Sequence, residues 1–193
     1  MSIGEQKAQL RKAILKRRNE LTAAEVKQKS AAIASKLFKS DFFKEAKTVM
    51  FYCSMPKEVD TKSMIKKALD LGKRVFLPCT NKKSKTLESL EYNASCDVLE
   101  KGPYGICQPK RNAKKRSAVE HFDIVFVPAI VFDESGYRVG FGHGYYDRFL
   151  KTCRYSLSVG LAYVFQIVKT VPKEYFDVPV NILLTEKKVV SIN

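Results

Sequence analysis

Leu10, Ala13, Ile14 and Leu21 recur at helical spacing near the start of the chain, with charged residues between them. That stripe predicts an amphipathic helix over residues 5–18. A second helix is predicted to start at Thr22. Thr22 and Glu25 have the spacing of a capping box, and Val26, Ile33 and Leu37 continue an apolar face. After about residue 46 the pattern changes to short apolar runs separated by helical stretches. The runs TVMFYC (48–53), RVFLP (74–78), DIVFVP (123–128), SLSVGLAY (156–163) and NILLTE (181–186) read as buried strands. TLESLEY (86–92) alternates, as an edge strand does. A helix capped by Asp60 or Thr61, with Met64, Ile65, Ala68 and Leu69 apolar, ends at Gly72, and another starts near Tyr145. Continuous Val/Ile/Leu runs alternating with helices belong to strands covered on both faces. The expected fold is therefore a single three-layer α/β/α domain with an open, mostly parallel sheet. It comprises N-terminal helices over 5–39 and an α/β body over 46–193.

Composition narrows the class. The chain has 193 residues, 45% of them hydrophobic, which suits one domain with a real core. No apolar run approaches the roughly 20 residues of a membrane span. The longest, 124–132, is interrupted by Pro128 and reads as one buried strand. The five cysteines are odd in number and widely spaced, without a CxxC pair, which suits reduced thiols and a cytoplasmic setting. The basic, amphipathic start also suits a mitochondrial presequence, the alternative location. With only His121 and His143 available, zinc is not expected. The net charge of +15 raises two possibilities, a nucleic acid or a small polyanion. The basic residues are dispersed, the densest group (110–116) falls in a polar loop and reads as a solvated face, and no RNP-type motif occurs. No nucleic acid and no membrane are expected as partners.

The segment GYRVGFGHGYYDRFL (136–150) holds four of the chain's nine glycines. It lies between a predicted strand and a predicted helix, where ligand crevices of open α/β sheets form. Gly140, Gly142 and Gly144 alternate as GxGxG, which is neither a Walker A loop nor a dinucleotide fingerprint. Such a loop is either a flexible turn or an anion site built from backbone amides and a helix N-terminus. Tyr145 and Tyr146 could stack on or hydrogen-bond a ligand. Asp147 is either a first-turn acid favoured by the helix dipole or a ligand to a cation beside the anion.

FDESGYRVGFGHGYYDRFL resembles the signature of the 5-formyltetrahydrofolate cyclo-ligase family. KAQLR, YCSMPKEVDT, YGICQP, AYVFQ and VPKEYFDVPVN resemble further blocks of that family in the same order, so the resemblance spans nearly the whole chain. It implies ATP- and Mg²⁺-dependent conversion of 5-formyltetrahydrofolate, with or without a polyglutamate tail, to 5,10-methenyltetrahydrofolate with release of ADP and phosphate. It further implies that Lys7 and Arg11 hold ATP phosphates, Arg11 also lying near the folate. Independently, Lys7 and Arg11 are four apart and leave a helix from one face, an arrangement suited to a triphosphate. By the same resemblance Arg138, Val139, Gly140, Phe141, Gly142, His143, Gly144, Tyr145 and Tyr146 wrap the ATP phosphates, the stretch 141–145 also lining the folate side. Cys53, Glu58 and Tyr104 contact the folate, Cys53 by shape rather than thiol chemistry. Asp147 and Asp177 hold magnesium. Arg11, Tyr145 and Asp147 are the residues assigned to catalysis. Phe141 stands where the family often has arginine, His143 where it usually has glycine or lysine, and Asn181 where aspartate is frequent. These departures keep two alternatives in view, a folate or nucleotide binder without catalysis and a basic RNA-binding module.

Overall fold

The computed structural model describes residues 1–95, 97–110 and 121–192. Cys96 and all but Lys110 of the basic group at 110–116 lie outside the described residues. In chain order the elements are α1 (Ile3–Glu20), α2 (Ala23–Lys39), α3 (Asp41–Glu45), β1 (Thr48–Met50), α4 (Lys62–Asp70), β2 (Arg74–Asn81) and β3 (Thr86–Tyr92). There follow β4 (Leu99–Lys101), β5 (Cys107–Pro109), β6 (Ile124–Val127), β7 (Val131–Asp133), β8 (Arg138–Val139) and α5 (Tyr145–Thr152). The last are β9 (Leu157–Leu161), β10 (Ile167–Val168), β11 (Ile182–Leu184) and β12 (Val189–Ser191).

Both leading helices start on capping boxes. The Thr22–Glu25 box is present, with the Thr22 N–H donating to Glu25 Oε2 at 2.8 Å. An equivalent Ser2–Glu5 box starts α1 two residues earlier than predicted. The predicted α1 stripe is also shifted. Ala13 is exposed, while Leu10, Ile14 and Leu15 pack on Ile130, Val131, Val139 and Val171.

The main sheet has the order β12-β11-β9-β6-β1-β2-β3. Pairings from β11 through β2 are parallel, and β12 and β3 add antiparallel edges. Alternate residues face opposite ways. Val49, Val75, Ile124 and Val159 join α2 and α4 on one face; Met50, Phe76, Val125 and Leu183 join α5 on the other. The open, mostly parallel sheet matches the reading of the buried runs.

Two features differ from the sequence pattern. The apolar run 124–132 is two strands, because Pro128 ends β6 and the chain turns into β7. That strand forms a second, three-stranded sheet of order β10-β7-β8, which shares with α5 the covering of the second face. Gly160 permits this close packing: a Cβ there would lie 2.7 Å from the Phe132 ring. The run 48–53 is strand only to Met50. Phe51 N–H still bonds Phe76 C=O at 2.9 Å, and the chain then leaves the sheet at Tyr52. Among the described residues no helix is long and apolar enough to cross a membrane.

Candidate active site

Chain order reverses between β1 and β6: β2 lies on one side of β1, and the later β6 on the other. In an open α/β sheet, such a switch point leaves a crevice beyond the strand ends. A cavity of about 490 Å³ lies there, lined by Tyr52 and Cys53 after β1, Pro78 and Thr80 late in β2, and Pro128 and Ala129 after β6. All the candidate residues line this one cavity: Lys7, Arg11, Cys53, Glu58, Tyr104, the whole stretch 138–147, and Asp177. The glycine segment does not leave β6 directly, as the sequence pattern implied. The β7–β8 hairpin intervenes and carries the segment back over the cavity.

One wall is the glycine loop. Of the alternating glycines, Gly142 (φ +97°) and Gly144 (φ +64°) adopt positive φ. Gly140 does not, and a Cβ on it would meet nothing within 4 Å. Its contribution is a carbonyl, which accepts a hydrogen bond from Arg11 Nε at 2.7 Å. Gly144 is the N-cap of α5 and offers no side-chain oxygen, so the first-turn amides, which have no intrahelical acceptor, also lack a side-chain cap. Arg138 is buried and braces the loop. One guanidinium nitrogen donates to Asp147 Oδ1 at 2.7 Å and the other to the Val178 carbonyl. Burial lowers the Arg138 pKa, opposed by the charges of Asp147 and Asp177.

Lys7 approaches from α1 and donates to Asp177 Oδ2 at 2.7 Å and to Glu174 Oε2 at 3.1 Å. Burial works to lower its pKa, but bonds to Asp177 and then Glu174 outweigh it and hold Lys7 above its ordinary value. Among the described residues, no group of three or more His, Cys, Asp or Glu side chains could hold a metal by itself. Asp147 and Asp177 nonetheless suit a hard divalent cation. Magnesium takes one or two carboxylates and completes its shell with water and phosphate oxygens. Both acids line the cavity beside Lys7 and Arg11, and the bonds they accept fall on Oδ1 of Asp147 and Oδ2 of Asp177.

The opposite wall carries Glu58, Cys53 and Tyr104. Glu58 is buried; its Oε2 accepts from the Met55 N–H at 2.9 Å and its Oε1 from Arg18 Nη1 at 3.3 Å. Burial raises the Glu58 pKa, against the pull of the Met55 N–H and Arg18. Burial likewise pushes the Cys53 thiol up to about 12, so it is no thiolate nucleophile. The Tyr104 ring stacks on His143 with centroids 4.6 Å apart, and Lys82 Nζ lies 4.6 Å from the Tyr104 centroid on a ring face. Tyr145 meets Tyr104 edge-on, and a hydrogen bond with Tyr104, then burial, raises the Tyr145 pKa. Asn181 lies apart from the cavity lining and ties β11 to β9, its Oδ1 accepting from Ser158 N–H at 2.8 Å. The sequence pattern missed Arg18, Glu174 and Gln108. Gln108 is buried, lines the cavity and accepts the Thr80 N–H on Oε1 at 3.3 Å. A Cβ on Gly102 would lie 2.4 Å from Gln108, so that glycine makes room for the amide.

An α/β sheet whose switch-point crevice has a cation-flanked glycine loop on one wall and a buried acid with aromatics on the other defines a class of protein that seats an anion against a planar polar ligand. The particular family follows from comparison: the sequence pattern of the 5-formyltetrahydrofolate cyclo-ligase family matches residues 3–186, and the chain belongs to that family. A probable 5-formyltetrahydrofolate cyclo-ligase from Caenorhabditis elegans is 31% identical over 195 residues, covering 96% of this chain and 95% of its own length. The 5-formyltetrahydrofolate cyclo-ligase of Haemophilus influenzae is 32% identical over 178 residues, covering 91% of this chain and 95% of its own. The solved structure of Aquifex aeolicus 5,10-methenyltetrahydrofolate synthetase superposes with a TM-score of 0.83 at 35% identity, covering 96% of this chain and 92% of that one.

Proposed function

We propose that the chain uses ATP and Mg²⁺ to close 5-formyltetrahydrofolate to 5,10-methenyltetrahydrofolate, releasing ADP and phosphate. One observation carries this reading: the cationic glycine wall and the Glu58 wall face a single cavity of about 490 Å³. Two bound substrates would therefore meet rather than occupy separate sites. The formyl oxygen is a poor leaving group as it stands. Attack by that oxygen on the γ-phosphorus, with cleavage of the bond to ADP, converts it to an imidate phosphate. N10 then attacks the formyl carbon and gives up its proton to solvent, and the C–O bond breaks to release inorganic phosphate. Such a sequence asks the protein for alignment and charge neutralisation rather than for a nucleophile.

The residues suit those tasks. Arg11 is tied to the Gly140 carbonyl, and its Nη2 would sit 3.4 Å from a Cβ on Gly142; its charge would serve the transferring phosphoryl group. Lys7 would hold the outer phosphates. Asp147 and Asp177 would hold magnesium, which when bound neutralises phosphate charge. Tyr145, with Tyr104 and His143, would flank the reacting folate, and Glu58 would accept hydrogen bonds from the pterin amino and ring N–H groups. The test is the appearance of methenyltetrahydrofolate absorbance. Product should form only with 5-formyltetrahydrofolate, ATP and Mg²⁺ together; no product at saturating substrates would reject the reading.

A further inference from the structure

Arg18 has no part in the reaction as described. It lies on α1 seven residues beyond Arg11 and eleven beyond Lys7, close to whole numbers of helical turns, so the three cations share one face. Lys7 and Arg18 are separated by roughly 16 Å of helix axis. Lys7 reaches Glu174 and Asp177, Arg11 reaches Gly140, and Arg18 reaches Glu58 at 3.3 Å.

The Arg18–Glu58 pair is not a closed structural ion pair. Arg18 is only 5% exposed, yet its Nε has no hydrogen-bond partner among the described residues. Its Cζ stands 6.0 Å from the Phe141 ring centroid, in the loop that forms the opposite wall. The Tyr146 hydroxyl, on a side chain that lines the cavity, is also buried without a partner among the described residues. Buried pairs of this kind contribute little net stability compared with apolar packing, so stability does not account for it. The groups acting on Glu58 come from every side: Arg18 from α1, the Met55 N–H and Tyr52 after β1, Tyr146 from α5 and Tyr163 after β9. Arg18 is the cation among them. Burial alone favours the neutral carboxyl, which has one donor and a reduced acceptor capacity; the ionised group only accepts.

We propose that Arg18 is a positioning residue for the folate end of the cleft, holding Glu58 ionised and aimed so that it accepts from a paired amino group and ring N–H, as a 2-amino-4-oxopyrimidine edge presents. The inference rests on the proposed reaction, which supplies a substrate with that edge. It is tested by the pH profile of kcat/KM for 5-formyltetrahydrofolate in the unaltered chain, Arg18→Lys, Arg18→Met, Glu58→Gln and the Arg18→Met/Glu58→Gln double variant. Losing the cation moves Glu58 protonation to higher pH, so in Arg18→Met the acid limb should shift up by about one unit or more. The folate KM at neutral pH should rise about tenfold or more, with kcat and the ATP KM unchanged. Arg18→Lys should restore most of the loss. The double variant, which has no buried charge left unpaired, should match Glu58→Gln alone. An acid limb unmoved in Arg18→Met, or a double variant clearly worse than Glu58→Gln, would overturn the proposal while leaving the reaction intact. Should Arg18→Met not fold, the lysine and double variants still decide. No turnover by the unaltered chain would instead contradict the reaction itself, and the proposal with it.

Discussion

At φ +97°, Gly142 occupies backbone space that a side chain adopts only under strain, and a Cβ there would meet Arg11 Nη2 at 3.4 Å. Gly142→Val therefore asks the loop to move and Arg11 to give way together, at a cost of about 1–3 kcal/mol in backbone strain alone. Turnover should fall by roughly a hundredfold, the loss expected when phosphoryl alignment slips by about 1 Å. Gly140→Ala, with ordinary φ and open space, should stay near the unaltered rate. Comparing kcat/KM for the two variants at equal thermal stability checks this. The glycine loop was legible because its residue types are rare and crowded. Arg18 was not, since at the end of a basic helix a buried arginine reads like its exposed neighbours. Only the fold, bringing Glu58 to it from 40 positions away, reveals the partner. Lys7, Arg11 and Arg18 do repeat at whole-turn spacing, and that signal could have found it.

At the scale of elements, α1 matters as a rigid arm. Leu10, Ile14 and Leu15 seat it on the small sheet, and Lys7 and Arg11 from the same face reach the cleft. Ile14→Asp should loosen the arm without touching either wall. A rise of about tenfold or more in the KM of both substrates, with the secondary structure of the body retained by circular dichroism, is the expected result; a change in one KM alone would show that α1 does not act as a unit. α1, α2, α4 and the parallel strands were readable from their apolar periods and caps, whereas the five-residue α3 is too short to show a period. The β7–β8 hairpin and β10 were not: strands of two or three residues carry no period, and the run 124–132 continues apolar through the break at Pro128 because both sheets bury it. The same hairpin explains why the glycine loop lies over the crevice instead of merely ending a central strand.

Taken whole, the molecule carries a formal charge of +15 with its basic residues dispersed along the chain, and both proposed substrates are polyanions. Such a field raises encounter rates and is weakened by salt, since the screening length falls to about 8 Å near 0.15 M. The apparent affinity for 5-formyltetrahydrofolate should strengthen with each added tail glutamate and lose that gain at high ionic strength; a flat dependence on tail length would contradict this role for the charge. The central claim is that one cleft brings the formyl oxygen of the folate onto the γ-phosphorus of ATP. The direct measurement uses 5-formyltetrahydrofolate carrying a heavy oxygen isotope in its formyl group, followed by mass analysis of the released phosphate. The account predicts that the labelled oxygen appears in inorganic phosphate, one atom per methenyl product formed. Unlabelled phosphate, with the heavy oxygen lost to water, would contradict it.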